Sequence, residues 1–437
     1  MLRYNAVADT TETVRPDREP ELARARAGLV VIWPPSPEVH PLRDGLVLGR
    51  EPPADLVLRD NAVSRRHARM ARAGGGWTIE DLGSHNSTFV DGQAVVASTP
   101  VAHDSLVRLG STLLLLVEDI ETFHGWCRDQ SGDLVGGSAI DRLREFIARF
   151  AEGALDLLVV GETGTGKELV ARAIHAASGL HGPLVPVNCA AVPQNLFESA
   201  FFGHRRGSFT GATQDALGYF RAASGGTLFL DEVGELPLEA QAKLLRAIEQ
   251  REVQPVGAGA PERVQVRVVA ATHKNLEAEV IRGGFRRDFY ERLGGVAHWI
   301  PPLRDRREDI VLLVRHFLSK YESEGPPGAE PTVETLEALA LYGWPGNVRE
   351  LERTVRELLA HARTAGGAEL RVSFLPERIR GAPRGDSLLR RIEEGLRAHG
   401  GNVLRAAEAL GIARSQIYAT LQRHGRTAEE FRDRSQP

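Results

Sequence analysis

Cysteine is nearly absent from this chain of 437 residues: there are two, Cys127 and Cys189. Two cannot build a disulfide framework or a cysteine-rich zinc site, so the sequence reads as one made for a reducing compartment, the cytoplasm. Long apolar runs are missing as well. The longest, such as Leu113–Val117, fall far short of the roughly 20 residues that a membrane-spanning helix needs. The first residues carry Asp9, Glu12 and Arg15 where a secretory leader would carry an apolar core. Lysine is scarce, standing only at Lys167, Lys243, Lys274 and Lys320, so arginine supplies almost all of the 54 basic residues. The formal charge of −4 leaves no basic footprint over the whole chain, and any nucleic-acid contact has to be local.

What is present is enough for about three domains, with 42% apolar residues, an ordinary globular share. Residues 1–27 are charged and aperiodic and read as a mobile tail. From 28 to 117, short apolar runs (Leu29–Trp33, Leu46–Gly49, Asp55–Leu58, Trp77–Asp81, Val107–Leu109, Leu113–Val117) alternate with turn residues, which predicts an all-β sandwich. Residues 118–133 read as a linker, with Ile120, Phe123, Trp126 and Cys127 as one short helical stripe. Strands and helices alternate over 134–305, the pattern of an α/β nucleotide-binding domain. A helical subdomain follows at 306–365, then a Gly- and Pro-rich linker at 366–386. An all-α module of three short helices occupies 387–426, and 427–437 form a tail.

Two features carry chemistry in the central domain. Gly161-Glu162-Thr163-Gly164-Thr165-Gly166-Lys167-Glu168 follows an apolar strand and opens a helix. Its glycines let backbone N–H groups converge on phosphate, the helix dipole favours the anion, and Lys167 adds a cation. Asp231 and Glu232 end the apolar strand Leu228-Phe229-Leu230 and suit metal-water coordination and activation of an attacking water. Between them lies Gly207-Ser208-Phe209-Thr210-Gly211-Ala212, a Gly-flanked hexapeptide that makes poor core and reads as a tip that touches a partner.

In this order, these three segments closely resemble the AAA+ domain of the bacterial activators that work with sigma-54 RNA polymerase. The family hexapeptide has Ala where this chain has Ser208, and the family usually has Glu after the loop lysine, as Glu168 here. The resemblance implies an ATPase that uses ATP and Mg2+. It implies a nucleotide site that includes Thr272 as first sensor and Arg349 as second, with His273 standing where Asn is common. Asn188 would be the polar switch that holds Glu232. Arg286 and Arg292 would be arginine fingers supplied to a neighbouring subunit. Residues 207–212 would contact sigma-54, with Arg205 and Arg206 replacing the usual Glu-Lys before the loop.

The two flanking modules have signatures of their own. Gly401–Gly425 has the helix–turn–helix period, with Ala406, Leu410, Ile412, Ile417 and Leu421 as a small core and Gly411 at the turn. From Gly395 to Arg426 five arginines oppose only Glu408. The segment resembles the Fis-type DNA-binding domain, which places Arg414, Ser415 and Gln416 at base edges and Arg405 and Arg423 at phosphates. Near the N-terminus, Gly49-Arg50, Val63-Ser64-Arg65-Arg66-His67 and Asp81-Leu82-Gly83-Ser84-His85-Asn86 resemble the signature of a forkhead-associated (FHA) domain. That resemblance implies a phosphothreonine site made of Arg50, Ser64, Arg65, Ser84, His85 and Asn86, with His67 bracing a loop.

Together these expectations describe a transcription activator. It would bind an upstream DNA element as a dimer and assemble as a hexamer. ATP hydrolysis would drive the 207–212 loop against sigma-54. Its input would be a phosphothreonine written by a Ser/Thr kinase, on another protein or on its own tail at Thr10, Thr11 or Thr13. Two alternatives stand beside it: a DNA-bound phosphopeptide adaptor whose ATPase assembles without opening promoters, and a remodeller of some other protein complex.

Overall fold

The strand Thr112–Val117 is buried along its whole length, and the reason shapes the N-terminal half of the molecule. The computed structural model describes residues 27–34, 38–73, 76–123, 132–153, 155–381, 388–410, 412, 414–423 and 426–431. Over 28–117 it folds into two sheets. One runs in the order Val39–Pro41, Gly28–Trp33, Thr112–Val117, Leu106–Leu109, Thr88–Val90, Gln93–Ala94. The other runs Leu56–Val57, Val47–Gly49, Ala68–Ala73, Gly76–Asp81, Thr99–Val101. In the antiparallel register Leu29 faces Leu116 and Val31 faces Leu114, and these four enter the sandwich core with Met70 and Ile79. Their neighbours in each strand point the other way. Val30, Ile32, Leu106, Leu113, Leu115 and Val117 join a second core with Ile120, Phe123 and Val135, and most of its other members come from the helical subdomain. The sandwich is therefore docked through the outer face of the strands Gly28–Trp33, Thr112–Val117 and Leu106–Leu109.

The central domain is a five-stranded parallel sheet in the order Leu184–Asn188, Thr227–Asp231, Arg267–Thr272, Leu157–Val160, Ala297–Trp299. Both faces are covered, which is why its central strands are apolar over Leu228–Leu230, Val268–Ala271 and Leu157–Val160. Helices Ser138–Phe150 and Lys167–Ala177 cover one face through Leu143, Ile147, Val170 and Ile174. Helices Leu238–Gln250 and Arg287–Leu293 cover the other through Leu244, Ile248 and Phe289. Gly161, Asp231 and Thr272 all fall at the carboxyl ends of strands, the edge where open α/β sheets take ligands.

Helices Arg307–Lys320, Val333–Leu341 and Asn347–Ala365 form the lid subdomain around the buried Trp344. The sandwich meets it through a charged contact as well. Arg108 stacks its guanidinium 3.8 Å from the Phe89 ring and donates to Glu337 at 3.0 Å, both ions nearly excluded from water.

Three expectations are corrected by the packing. The predicted linker 366–386 is folded over 369–381: Glu369–Leu370 pairs with Glu330–Pro331, and Leu370, Leu375 and Ile379 are buried in the lid core. Gly366, with φ +69, ends the preceding helix, so its composition marks a cap rather than a spacer. The predicted linker 118–133 begins with a single 3-10 turn, Ile120–Phe123, that buries both named residues; Trp126 and Cys127 lie outside the described residues. The predicted C-terminal tail starts with another turn, Ala428–Phe431, whose Phe431 closes the core of the last module with Ile392, Leu396, Ala406, Ile417 and Leu421. That module has helices Leu388–Ala398, Val403–Leu410 and Arg414–Arg423. Gly411, and the tail residues Thr10, Thr11 and Thr13, lie outside the described residues. Among the described residues no helix is long and apolar enough to cross a membrane.

Candidate functional site

The strand Leu157–Val160 delivers the chain to Gly161, and Gly166, at φ +104, turns it into the helix that begins at Lys167. Lys167 is buried, yet its ammonium is not left uncompensated. It donates to the carbonyls of Gly161 at 2.9 Å and Glu162 at 3.4 Å and pairs with Glu232 Oε1 at 3.3 Å. Glu232 sits just past the strand Thr227–Asp231, two places along the sheet, in a left-handed conformation, φ 54, which a residue with a Cβ adopts at a cost. Its second oxygen is gripped from the next strand end: His273 Nδ1 lies 2.6 Å and the His273 backbone N–H donor 3.2 Å from Oε2. Burial pushes the Glu232 carboxyl upward, but the His273 hydrogen bond and Lys167 together bring it below its ordinary range. Asp231 moves the other way, raised by burial and by the adjacent Glu232 charge. It remains aligned with Asn188 on the neighbouring strand. Asn188 does not hold Glu232 in this structure. Its Oδ1 accepts from Ala190 N at 3.0 Å and caps the turn Cys189–Ala191.

The lid closes directly on the loop. A Cβ on Gly164 would stand 2.3 Å from the Gly346 carbonyl, so only glycine allows this approach. Asn347 is fully buried at φ 51; its amide donates to Thr163 O and Glu162 Oε2, and its oxygen accepts from Leu303 N. Arg304 clamps the Glu162 carboxylate with both terminal nitrogens, and buried Arg306 reaches Thr165 O. Arg349 donates its backbone N–H to Gly164 O, with its side chain exposed. Asn347, Arg304 and Arg306 escape sequence reading because they act from far along the chain. The one available signal is Asn347, which sits in the same Trp-Pro-Gly-Asn motif as Arg349.

The remaining expected residues lie in separate places. Arg292 reaches Asp156 at 2.6 Å, at the opposite end of the strand Leu157–Val160 from Gly161; Arg286 pairs with Asp288. Neither finger candidate is thus turned onto its own chain's loop. Residues 207–212 fold as turns closed by Gly207 N to Ala212 O, with Phe209 and Thr210 exposed and Ala212 buried. Arg205 anchors the loop base to Asp215 and Glu262, so the changed charge before the hexapeptide has local partners.

In the sandwich, Gly49 lets two loops touch: a Cβ there would meet Arg65 O at 2.0 Å. Arg50 N donates to Ser64 O, and Ser64 Oγ accepts from His85 N. Ser84 is tied to Asp81, and Asn86 donates to Ala62 O. His67 is fully buried and joins the loops, accepting from Ser64 N at Nδ1 and meeting Ser87 O at Nε2. The guanidinium groups of Arg50 and Arg65 stay at the surface. Arg50, Ser64, Arg65, His85 and Asn86 thus gather at one end of the sandwich.

In the C-terminal module, Asn402 caps the second helix on Arg405 N, and Arg405 is exposed. Arg414 pairs with Glu277 of the central domain at 3.2 Å, and Glu277 also takes the Tyr290 hydroxyl at 3.1 Å. The side chains of Ser415, Gln416 and Arg423 lie outside the described residues.

Comparison with known proteins agrees with this layout. Family models match in chain order: an FHA domain over residues 46–110, a sigma-54 interaction domain over 134–297, an AAA+ ATPase lid domain over 304–390 and a bacterial regulatory protein of the Fis family over 389–424. The transcriptional regulatory protein ZraR of Escherichia coli is 44% identical over 304 residues, 66% of this chain and 68% of that protein. The DNA-binding transcriptional regulator NtrC of Rhizobium meliloti is 49% identical over 229 residues, 52% of this chain and 47% of NtrC. The chain thus spans about half the length of its NtrC relatives. The crystal structure of NtrX from Brucella abortus in complex with ATP superposes with a TM-score of 0.53 at 35% identity, over 68% of this chain and 70% of that one.

Proposed function

The chain belongs to the sigma-54 activator family, and from that premise we propose that it hydrolyses ATP to remodel sigma-54 RNA polymerase at promoters to which its Fis-type module binds. The observation that carries the reading is the contact of Lys167, at the start of the helix after Leu157–Val160, with Glu232, next to Asp231 at the end of Thr227–Asp231, beneath a lid that already touches the loop through Asn347 and Gly164. An incoming triphosphate takes Lys167 and the converging N–H groups of the loop. Glu232 then accepts the proton of the attacking water, and the γ-phosphoryl passes to that water while ADP leaves. The carboxylates at the site are the adjacent Asp231 and Glu232, the first at the end of its strand. That suits Mg2+, which keeps its waters and binds through one or two carboxylates and the phosphates. Asp231 would hold it, and the ion would supply charge neutralisation between the phosphates.

Arg286 and Arg292 pair with Asp288 and Asp156 here, away from their own loop, and as fingers they would serve a neighbouring subunit in a hexameric ring. Phe209 and Thr210 would then be the moving contact with sigma-54. The FHA module would read a phosphothreonine supplied by a Ser/Thr kinase, and the Fis-type module would bind upstream duplex DNA as a dimer. The test is promoter opening by sigma-54 polymerase on a supercoiled template carrying the protein's DNA site. Opening should need both ATP and Thr210, while Thr210→Ala keeps turnover. ATP turnover without any opening by the intact chain would leave the adaptor reading instead.

A further inference from the structure

Hydrolysis in the reading above turns on Glu232, and the structure gives that carboxylate to a residue with no assigned role. We propose that His273 is the positioning residue of the hydrolytic site: it fixes one oxygen of Glu232 so that the other is offered to the attacking water. The inference rests on the ATPase reading.

Both donors of His273 converge on the same oxygen. The ring Nδ1 stands 2.6 Å and the backbone nitrogen 3.2 Å from Oε2. An ionised carboxylate only accepts, so Nδ1 carries the proton in this contact. Two donors on one oxygen restrict the turning of the carboxylate about its stem. The base of the grip is rigid in turn. Thr272 is fully buried, its carbonyl accepts from Gly161 N, and its hydroxyl accepts from Lys274 N at 3.0 Å. Lys274 is itself tied to Gly234 O and Glu235. His273 is therefore fixed in place by the same strand that holds the start of the phosphate loop.

The other oxygen is held differently. Oε1 meets Lys167, whose remaining partners are two neutral carbonyls. A polyphosphate offers Lys167 several charged oxygens and draws it away, since hydrogen bonds between ions are stronger than those to neutral groups. The contact with Lys167 is thus one that substrate dissolves, whereas the contact with His273 belongs to the strand end and involves no phosphate ligand. Nucleotide binding then frees one oxygen of Glu232 and leaves the other pinned. The residue expected for this work, Asn188, spends its side-chain oxygen on Ala190.

The experiment uses the full-length chain at concentrations where turnover per subunit no longer rises with protein. His273→Ala should lower kcat for ATP about tenfold or more, with KM and ADP affinity within about twofold of wild type, because misplacement of a base costs rate and not nucleotide contacts. His273→Asn should restore most of the rate, since its amide nitrogen falls where Nδ1 was. His273→Gln, whose amide reaches instead to the place of Nε2, should remain slow. Wild-type or faster turnover by His273→Ala overturns the proposal. So does equal loss in the Ala, Asn and Gln variants, which would mean a damaged strand end. Glu232→Gln is measured alongside. If it turns over like wild type, the hydrolytic reading itself falls; if it is inactive while His273→Ala is normal, only the positioning role does.

Discussion

Lys167 has 6% of its surface exposed and already holds two carbonyls and Glu232. Arg65, at the other candidate phosphate site, has a side chain 76% exposed, and its acidic neighbour Glu51 stands at 3.8 Å. The two sites are prepared in opposite ways. A buried ammonium cannot be left bare, because an uncompensated interior charge costs several kcal/mol. The nucleotide site is therefore filled with internal partners, and in the proposed cycle substrate would bind by exchange. The sandwich site keeps its cations in water and arranges the backbone instead, through Gly49, the Ser64 loop and the His67 brace. Exchange would couple binding to a second event, the release of Glu232; the exposed arginines have only long contacts inside the fold, Arg50 to the Asn61 carbonyl at 3.5 Å and Arg65 to Glu51 at 3.8 Å.

The largest effect expected from this contrast is at the buried cation. Lys167→Ala should weaken ATP binding by roughly a hundredfold or more, as a charged contact to several phosphate oxygens is lost, and turnover should vanish with it. Nucleotide titration of the full chain checks this. Affinity near that of wild type would mean that Lys167 is a structural ion and the contrast is false.

Glu232→Gln sharpens the same contrast. Turnover should fall by about 10²–10⁴, the usual worth of a positioned base. Binding should go the other way. If Glu232 competes with phosphate for Lys167, removing its charge should leave ATP bound as tightly or several-fold tighter. Weaker binding would show that the carboxylate helps hold nucleotide and that no exchange occurs.

At the exposed site the expected effect is smaller. Arg50→Ala should weaken binding of a phosphothreonine peptide by roughly ten- to hundredfold, the range for one charge-assisted hydrogen bond. The unphosphorylated peptide should bind neither protein. An unchanged affinity would remove Arg50 from the site.

What a sequence shows of such sites depends on how local they are. The strand–glycine–lysine–helix pattern is contiguous, so the nucleotide loop is legible from residues 157–177 alone. So is the fold class, read from alternating apolar runs. The strand Ala68–Ala73 is not legible: its alanines and arginines are weak strand formers, although Ala68 and Met70 are buried and Arg69 between them is not. The run Leu113–Val117 did hold a signal, because a strand apolar at every position is one buried on both faces. Its second partner, the lid, lies more than 200 residues away: Arg108 and Glu337 are separated by 229 positions. His273 and Asn347 fail for the same reason, reaching their carboxylates across 41 and 185 residues. Sequence gives the groups that do the chemistry more readily than the groups that aim them.

The smallest effect expected tests whether the sandwich site depends on its backbone, and it is a dependence on pH. His67 is buried, and burial holds its imidazole below the usual histidine range, outweighing the Ser87 carbonyl that favours the charged ring. The neutral ring accepts from Ser64 N at Nδ1. Protonation would set two N–H groups against each other there and loosen the Ser64 loop. A group with a depressed folded pKa stabilises above its unfolded value of about 6.5 and loses that contribution as pH falls through the folded value. Peptide affinity should therefore decline only at pH values below the ordinary histidine value of about 6.5, where the buried ring takes up its proton. The phosphate of the ligand also titrates near pH 6, which would confuse a single curve. His67→Asn separates the two. Its amide oxygen can still accept from Ser64 N and does not titrate, while the peptide contributes the same proton to both proteins. Affinity of the wild type should fall about threefold further than that of the variant between pH 7.5 and pH 5.5. Parallel curves would mean that the brace is indifferent to charge, and that the exposed arginines alone set the affinity of this site.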